Sequence, residues 1–130
     1  MLKNNKMIEK FKVEFLEEAV EFIENLDEKA RDKIIYNINK ARVSNDKELF
    51  KKLNGEIWEF RTLYNKTYYR LFAFWHKTDK QDTVVISTNG LIKKTGKIPH
   101  NELNKAERLR AEYLAQKKLE NDEKRNNKNI

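Results

Sequence analysis

The sequence predicts an α+β domain in the order β-α-α-β-β-β-α, a small antiparallel sheet with its helices packed on one face. Three observations lead there. Apolar residues recur at helical spacing before residue 44 and again after residue 100. Between them, from Glu56 onward, the composition turns aromatic and β-branched. The breaks inside that middle stretch are short, and short loops join antiparallel neighbours.

The elements follow in order. Phe11-Lys12-Val13-Glu14-Phe15 alternates apolar and polar residues, the pattern of a short strand. Leu16, Ala19, Val20 and Ile23 then recur at i, i+3, i+4 and i+7, the stripe of an amphipathic helix. Asp27 supplies a capping side chain for a second helix. Its stripe is Ala30, Ile34, Ile35, Ile38 and Ala41, fading at Val43-Ser44-Asn45. Two helices this close form an antiparallel hairpin. Asp46 to Leu53 reads as one more short helical piece, stopped by Asn54-Gly55.

Ile57 to Tyr64, Thr67 to His76 and Thr83 to Thr88 read as three strands. Tyr64 to Thr67 makes the first turn and Thr78 to Asp82 the second. Asn89 to Lys97 reads as a basic loop. Pro99 opens a last helix, with Leu103, Ala106, Leu109 and Tyr113 at helical spacing to Gln116. Residues 1–118 form one domain, and the polar stretch 119–130 reads as a frayed tail. Helices on one face of the sheet leave the other free for work.

At 130 residues the chain can bury a core without staples. It has no cysteine, which removes disulfides and thiolate metal sites and fits a reducing compartment. The longest apolar run, Leu71-Phe72-Ala73-Phe74-Trp75, is too short to span a bilayer, and Met1 to Lys12 holds no signal-like apolar block. A cytoplasmic location is expected. His76 and His100, the only two histidines, stand in no HExxH or triad-like spacing, so no metal or cofactor is expected.

Net charge is +7, unevenly spread. Residues 1–50 carry ten basic and eleven acidic side chains, whereas residues 51–100 carry ten and four. A cationic excess on a folded segment points to a polyanion site; its plainer reading is a solvated surface.

Either a two-residue or a four-residue turn gives the same hairpin register, with opposed residue numbers summing to 131. Phe60 then faces Leu71 and Trp58 faces Ala73, an apolar face for the helices. On the other face Arg61 lies opposite Arg70, Leu63 opposite Tyr68 and Glu59 opposite Phe72. Opposed like charges are mildly destabilising and need compensation. A Glu59–Arg61 surface pair would supply it, and so would a bound phosphate, which matches the guanidinium fork. Tyr68 and Phe72 beside the arginines make either a stacking platform for unpaired bases or core covered by the last helix. Lys93, Lys94 and Lys97 form a local anion site or an ordinary solvated loop.

These residues resemble a known family. Lys52-Leu53-Asn54-Gly55-Glu56-Ile57-Trp58-Glu59-Phe60-Arg61 is similar to the K-L-x-G-x-x-W-E-L-R signature of RelE/ParE-superfamily toxins, in the HigB-like branch related to phage-derived host-killing proteins. Tyr69-Arg70-Leu71-Phe72 matches the Y-R-I-L/F strand. Asn89-Gly90-Leu91-Ile92-Lys93-Lys94-Thr95-Gly96-Lys97-Ile98-Pro99 resembles the H-G-F-x-K-K-T-x-K-x-P block. Ala106 to Leu114 matches the A-x-x-R…Y helix, so the likeness runs from Phe11 to Lys118.

The resemblance implies a RelE-like fold and the toxin of a type II toxin–antitoxin pair. It implies a ribosome-dependent, metal-independent mRNA endonuclease, held by a helix-turn-helix antitoxin from the same operon. Carried over, Arg61, Arg70, Lys93 and Lys94 become catalytic, while Tyr68, Phe72, Asn89, Thr95 and Lys97 contact RNA. Asn89 departs from the family histidine and cannot move protons at neutral pH. The superfamily also holds ParE-like toxins that poison DNA gyrase, and a non-catalytic RNA- or ribosome-binding module is a third alternative.

Overall fold

A computed structural model describes residues 8–77, 83–93 and 97–128. The elements are β1 (Lys12–Phe15), α1 (Glu17–Glu24), α2 (Glu28–Val43), β2 (Phe50–Asn54), β3 (Ile57–Tyr64), β4 (Thr67–Lys77), β5 (Thr83–Lys93) and α3 (His100–Lys128). The class is α+β, as the apolar periodicities predict. No helix among the described residues is long and apolar enough to cross a membrane.

The five strands form one sheet in the order β1-β5-β4-β3-β2. It is mixed, not wholly antiparallel: β1 pairs parallel with β5, Val13 opposite Val85, at the far edge from β2. The helical hairpin carries the chain from β1 across to β2 at the opposite edge, and the antiparallel run β2-β3-β4-β5 then returns it to lie beside β1.

Asp27 caps α2 as expected, its side chain accepting from the Ala30 amide at 3.3 Å. The expected helical piece at 46–53 is instead a turn and a strand. The Asp46 carbonyl accepts from the amides of Leu49 and Phe50, and its carboxylate accepts from the Glu48 amide at 2.9 Å. That local turn launches Phe50 onto the sheet, where its ring stacks on Phe60 at 4.3 Å. Aromatic packing across strands overrides the helix-forming Lys-Glu-Leu composition.

The β3–β4 hairpin has the predicted register, with Arg61 opposite Arg70 and Phe60 opposite Leu71. Its turn residues Asn65 and Lys66 both have positive φ, 51° and 63°, the backbone of a two-residue hairpin turn. β5 runs five residues further than expected, to Lys93, because Gly90, Leu91, Ile92 and Lys93 pair with β4 across a register shift. A side chain at Gly90 would collide with the Phe22 ring of α1.

Two layers of helix enclose the sheet. α1 and α2 bury Ala19, Ile23, Ile34, Ile38 and Ala41 against Phe60, Leu71, Ala73 and Val85. α3 covers part of the opposite face: Ala106 and Leu103 meet Ile57 and Phe72, while Tyr113 and Leu114 meet Phe74, Val84 and Ile86. The expectation that helices cover one face only is therefore corrected. Phe72, Phe74, Ile57 and Ile86 are apolar residues on the second face and need their own cover. The stretch expected to fray from residue 119 continues as helix to Lys128, its residues largely exposed.

Candidate functional site

The part of the second face not covered by α3 lies toward the β3–β4 turn. Strand alternation places Glu59, Arg61 and Leu63 of β3, Tyr68, Arg70 and Phe72 of β4, and Leu91 and Lys93 of β5 on this side. Tyr68 lies between Leu63 and Lys93, and Arg70 between Arg61 and Leu91.

Both arginines converge on Tyr68. Its ring centre is 5.3 Å from the Arg61 guanidinium carbon and 5.5 Å from that of Arg70. A tyrosine face attracts cations at this range and offsets part of the repulsion between them. Carboxylates offset the rest. Arg70 Nη1 donates to Glu59 Oε1 at 2.6 Å, and Arg61 Nη2 donates to Glu48 Oε2 at 2.9 Å. The expected Glu59–Arg61 pair is replaced by a diagonal one, since Glu59 lies opposite Phe72 and two residues along from it is Arg70. Diagonal cross-strand neighbours are within reach of a long side chain. Glu48 was hidden from sequence reasoning because it falls in the stretch read as helix.

The two pairs differ in kind. Glu59 has no exposed surface and the Arg70 side chain keeps 13%. Glu59 Oε2 and Arg70 Nε are buried without hydrogen-bond partners. Arg61 keeps 22% of its side-chain surface, but its partner Glu48 is 81% exposed and held by little else. An incoming phosphate can displace Glu48 from Arg61 at small cost, because exposed ion pairs contribute only about 0–1 kcal/mol. Arg70 is committed to a buried counter-charge.

The remaining predicted residues divide. Tyr68 and Lys93 are half-buried on the site, and Lys97 is exposed in the segment leading to α3. Phe72 is fully buried beneath Ala106, and Asn89 is 2% exposed. The Asn89 amide donates toward the Glu102 carbonyl and carboxylate at 3.4 Å, and its oxygen contacts Thr88 Oγ1 at 2.7 Å. Neither presents a surface to a base in this structure: Phe72 is core and Asn89 ties β5 to α3. Lys94 and Thr95 lie outside the described residues.

A second polar group sits far along the sheet. Tyr113 Oη is 3.2 Å from His76 Nδ1, and burial, with Glu14 and Glu120 nearby, pushes the Tyr113 phenol above its ordinary value. Among the described residues no three potential metal-ligating side chains gather into a cluster.

Comparison with known proteins is consistent with this architecture. Residues 21–111 match the family model described as Phage derived protein Gp49-like (DUF891). The match spans more than half of the chain, and the chain belongs to that family. No curated protein matches it.

Proposed function

We propose that this member of the Gp49-like family is the toxin of a type II toxin–antitoxin pair, a cytoplasmic endoribonuclease that cleaves mRNA on the ribosome. The observation that carries the reading is the pair of arginines facing each other across β3 and β4, closed around the Tyr68 ring, with a minor part of each side chain reaching the surface. Nothing in strand packing asks for two opposed guanidiniums, whereas a phosphodiester does. The RelE- and HigB-like motifs and the family's phage origin point the same way.

The chemistry is an internal transesterification. The RNA 2′-oxygen attacks the adjacent phosphorus, its proton passes to a base, and the 5′-oxygen leaves with a proton from an acid. Arg61 binds the phosphate by exchanging Glu48 for it. Arg70, oriented by Glu59, stabilises the charge that builds on the non-bridging oxygens. Tyr68 stacks on a neighbouring base and helps align the attack. Guanidinium groups stay charged, so proton transfer falls to Lys93 or Lys94. Lys97 and Thr95 extend the contact along the RNA backbone. An antitoxin encoded beside the toxin neutralises it.

The test is induction of the wild type and of Arg61→Ala/Arg70→Ala in growing cells, with primer extension on cellular mRNAs. New 5′ ends inside translated regions, absent from the double variant and from translation-blocked cells, are the expected result. Growth arrest with DNA breaks and no new ends would move the activity to gyrase. Neither arrest nor cleavage would leave an RNA-binding module.

A further inference from the structure

On the other face of the sheet, away from the arginines, lies a cavity of about 360 Å³. Phe11, Phe50, Trp58 and Trp75 wall it, and Lys10, Asp46 and Lys47 stand around it. The two indoles meet edge to face at 5.5 Å, and Phe50 lies 4.9 Å from Trp58 and 5.7 Å from Trp75. Phe50, Trp58 and Trp75 are all only half-buried. An aromatic recess left open beside a packed core favours an apolar side chain from outside.

The cavity adjoins an open sheet edge. β2 is the last strand of the sheet, and among the described residues its far side has no strand partner. The Leu49 carbonyl accepts from the Arg61 amide, so residues 49 and 51, ahead of the register shift between Lys52 and Asn54, direct their backbone groups at β3. Phe50 and Lys52 then turn theirs outward, and strand alternation puts their side chains on the cavity side. An unpaired edge of this kind is a template for an extended peptide, whose alternate side chains enter pockets. A nucleic acid cannot make those backbone bonds.

Charge selects the peptide. Lys51 and Lys52 occupy the edge strand, with Lys47 beside the cavity. Asp46, the acidic group of the lining, already bonds the Glu48 amide. Lysines on an edge oppose pairing with a second copy, which would bring like charges together, and admit an acidic strand.

We propose that the β2 edge and the Trp58/Trp75 cavity together dock an acidic, extended peptide segment of a partner protein, with one aromatic or large apolar side chain seated between the indoles. The site is separate from the arginine face, and the inference holds whether or not that face cuts RNA.

The chain has only two tryptophans, and both line the cavity, so tryptophan emission reports on this site alone. The probe is a short synthetic peptide without tryptophan or tyrosine, alternating glutamate with threonine and valine around one phenylalanine. Titration into the full-length protein is expected to give a saturable change in emission, with amide shifts along Phe50–Asn54. Exchanging the peptide's phenylalanine for alanine should remove most of it. Lys47→Glu/Lys52→Glu, two exposed positions that leave the core intact, should weaken binding by roughly three- to tenfold, the range of two exposed charge contacts. No saturable change, equal binding of a lysine-for-glutamate peptide, or the same emission change from a nucleoside monophosphate would each overturn the proposal. So would dimerisation of the protein alone through this edge.

Discussion

Glu59 and Arg70 bond at 2.6 Å with almost no surface exposed on either, yet each keeps one atom unpartnered. Removing charges from water costs several kcal/mol per ion, and the pair's mutual attraction offsets that only while both are present. Glu59→Ala therefore strands a buried guanidinium and should lower unfolding free energy by about 3–5 kcal/mol in urea melts. Replacing both, as Glu59→Leu/Arg70→Leu, should cost far less, because a well-packed apolar pair of similar volume substitutes for a buried ion pair with little loss. If Glu59→Ala changes stability by less than about 1 kcal/mol, Arg70 reaches water in solution and the pair is an ordinary surface contact. Arg61, with its 81% exposed partner, makes the contrast: its truncation should leave stability within about 1 kcal/mol of wild type. The sequence predicted that two arginines would oppose each other and that either a Glu59–Arg61 pair or a bound phosphate would compensate them. Which carboxylate serves which arginine depends on the diagonal reach across the hairpin and on the position of Glu48, neither of which is written in local pattern.

The β3–β4 hairpin was readable in register because its turn is short, and a short turn fixes every pairing beyond it. Asn65 suits the left-handed backbone it adopts at φ 51°, whereas Lys66 at φ 63° bears a side-chain penalty there. Lys66→Gly should therefore stabilise the protein by about 0.5–1 kcal/mol, after allowing for the extra freedom glycine has when unfolded. The check is the shift in urea midpoint, with cross-strand contacts between Phe60 and Leu71 showing that the register is kept. A loss of stability would mean that the Lys66 side chain contributes more than its backbone costs. Other elements were less legible. β2 forms by pairing with β3 across the tight turn at Gly55 and the last part of β5 by pairing with the start of β4, and the two segments read alone carry helix-like and loop-like composition. The placement of α3 did leave a signal: Leu71-Phe72-Ala73-Phe74-Trp75 has no polar alternation, and a strand apolar on both sides is a strand covered on both sides.

At the scale of the molecule, the net charge of +7 and the site make different claims about RNA. A polyanion drawn by net charge alone would feel every exposed lysine equally. One held at the arginine face would feel only the cations that touch phosphate. Each phosphate contact to a single strand contributes about 0.7 to the slope of log affinity against log salt. Arg61→Ala and Lys93→Ala should each reduce the slope for a short single-stranded RNA by about that amount. Lys33→Ala, exposed on α2 behind the sheet, should leave the slope unchanged. Arg70 should count for less than Arg61 despite lying opposite it, because Glu59 already neutralises it at 2.6 Å while Glu48 can swing away from Arg61. The ordering Arg61 and Lys93 above Arg70 above Lys33 is thus a property of the folded arrangement and not of composition. If Lys33→Ala lowers the slope as far as Arg61→Ala does, the RNA reads overall charge, and the paired arginines are a structural feature of the hairpin.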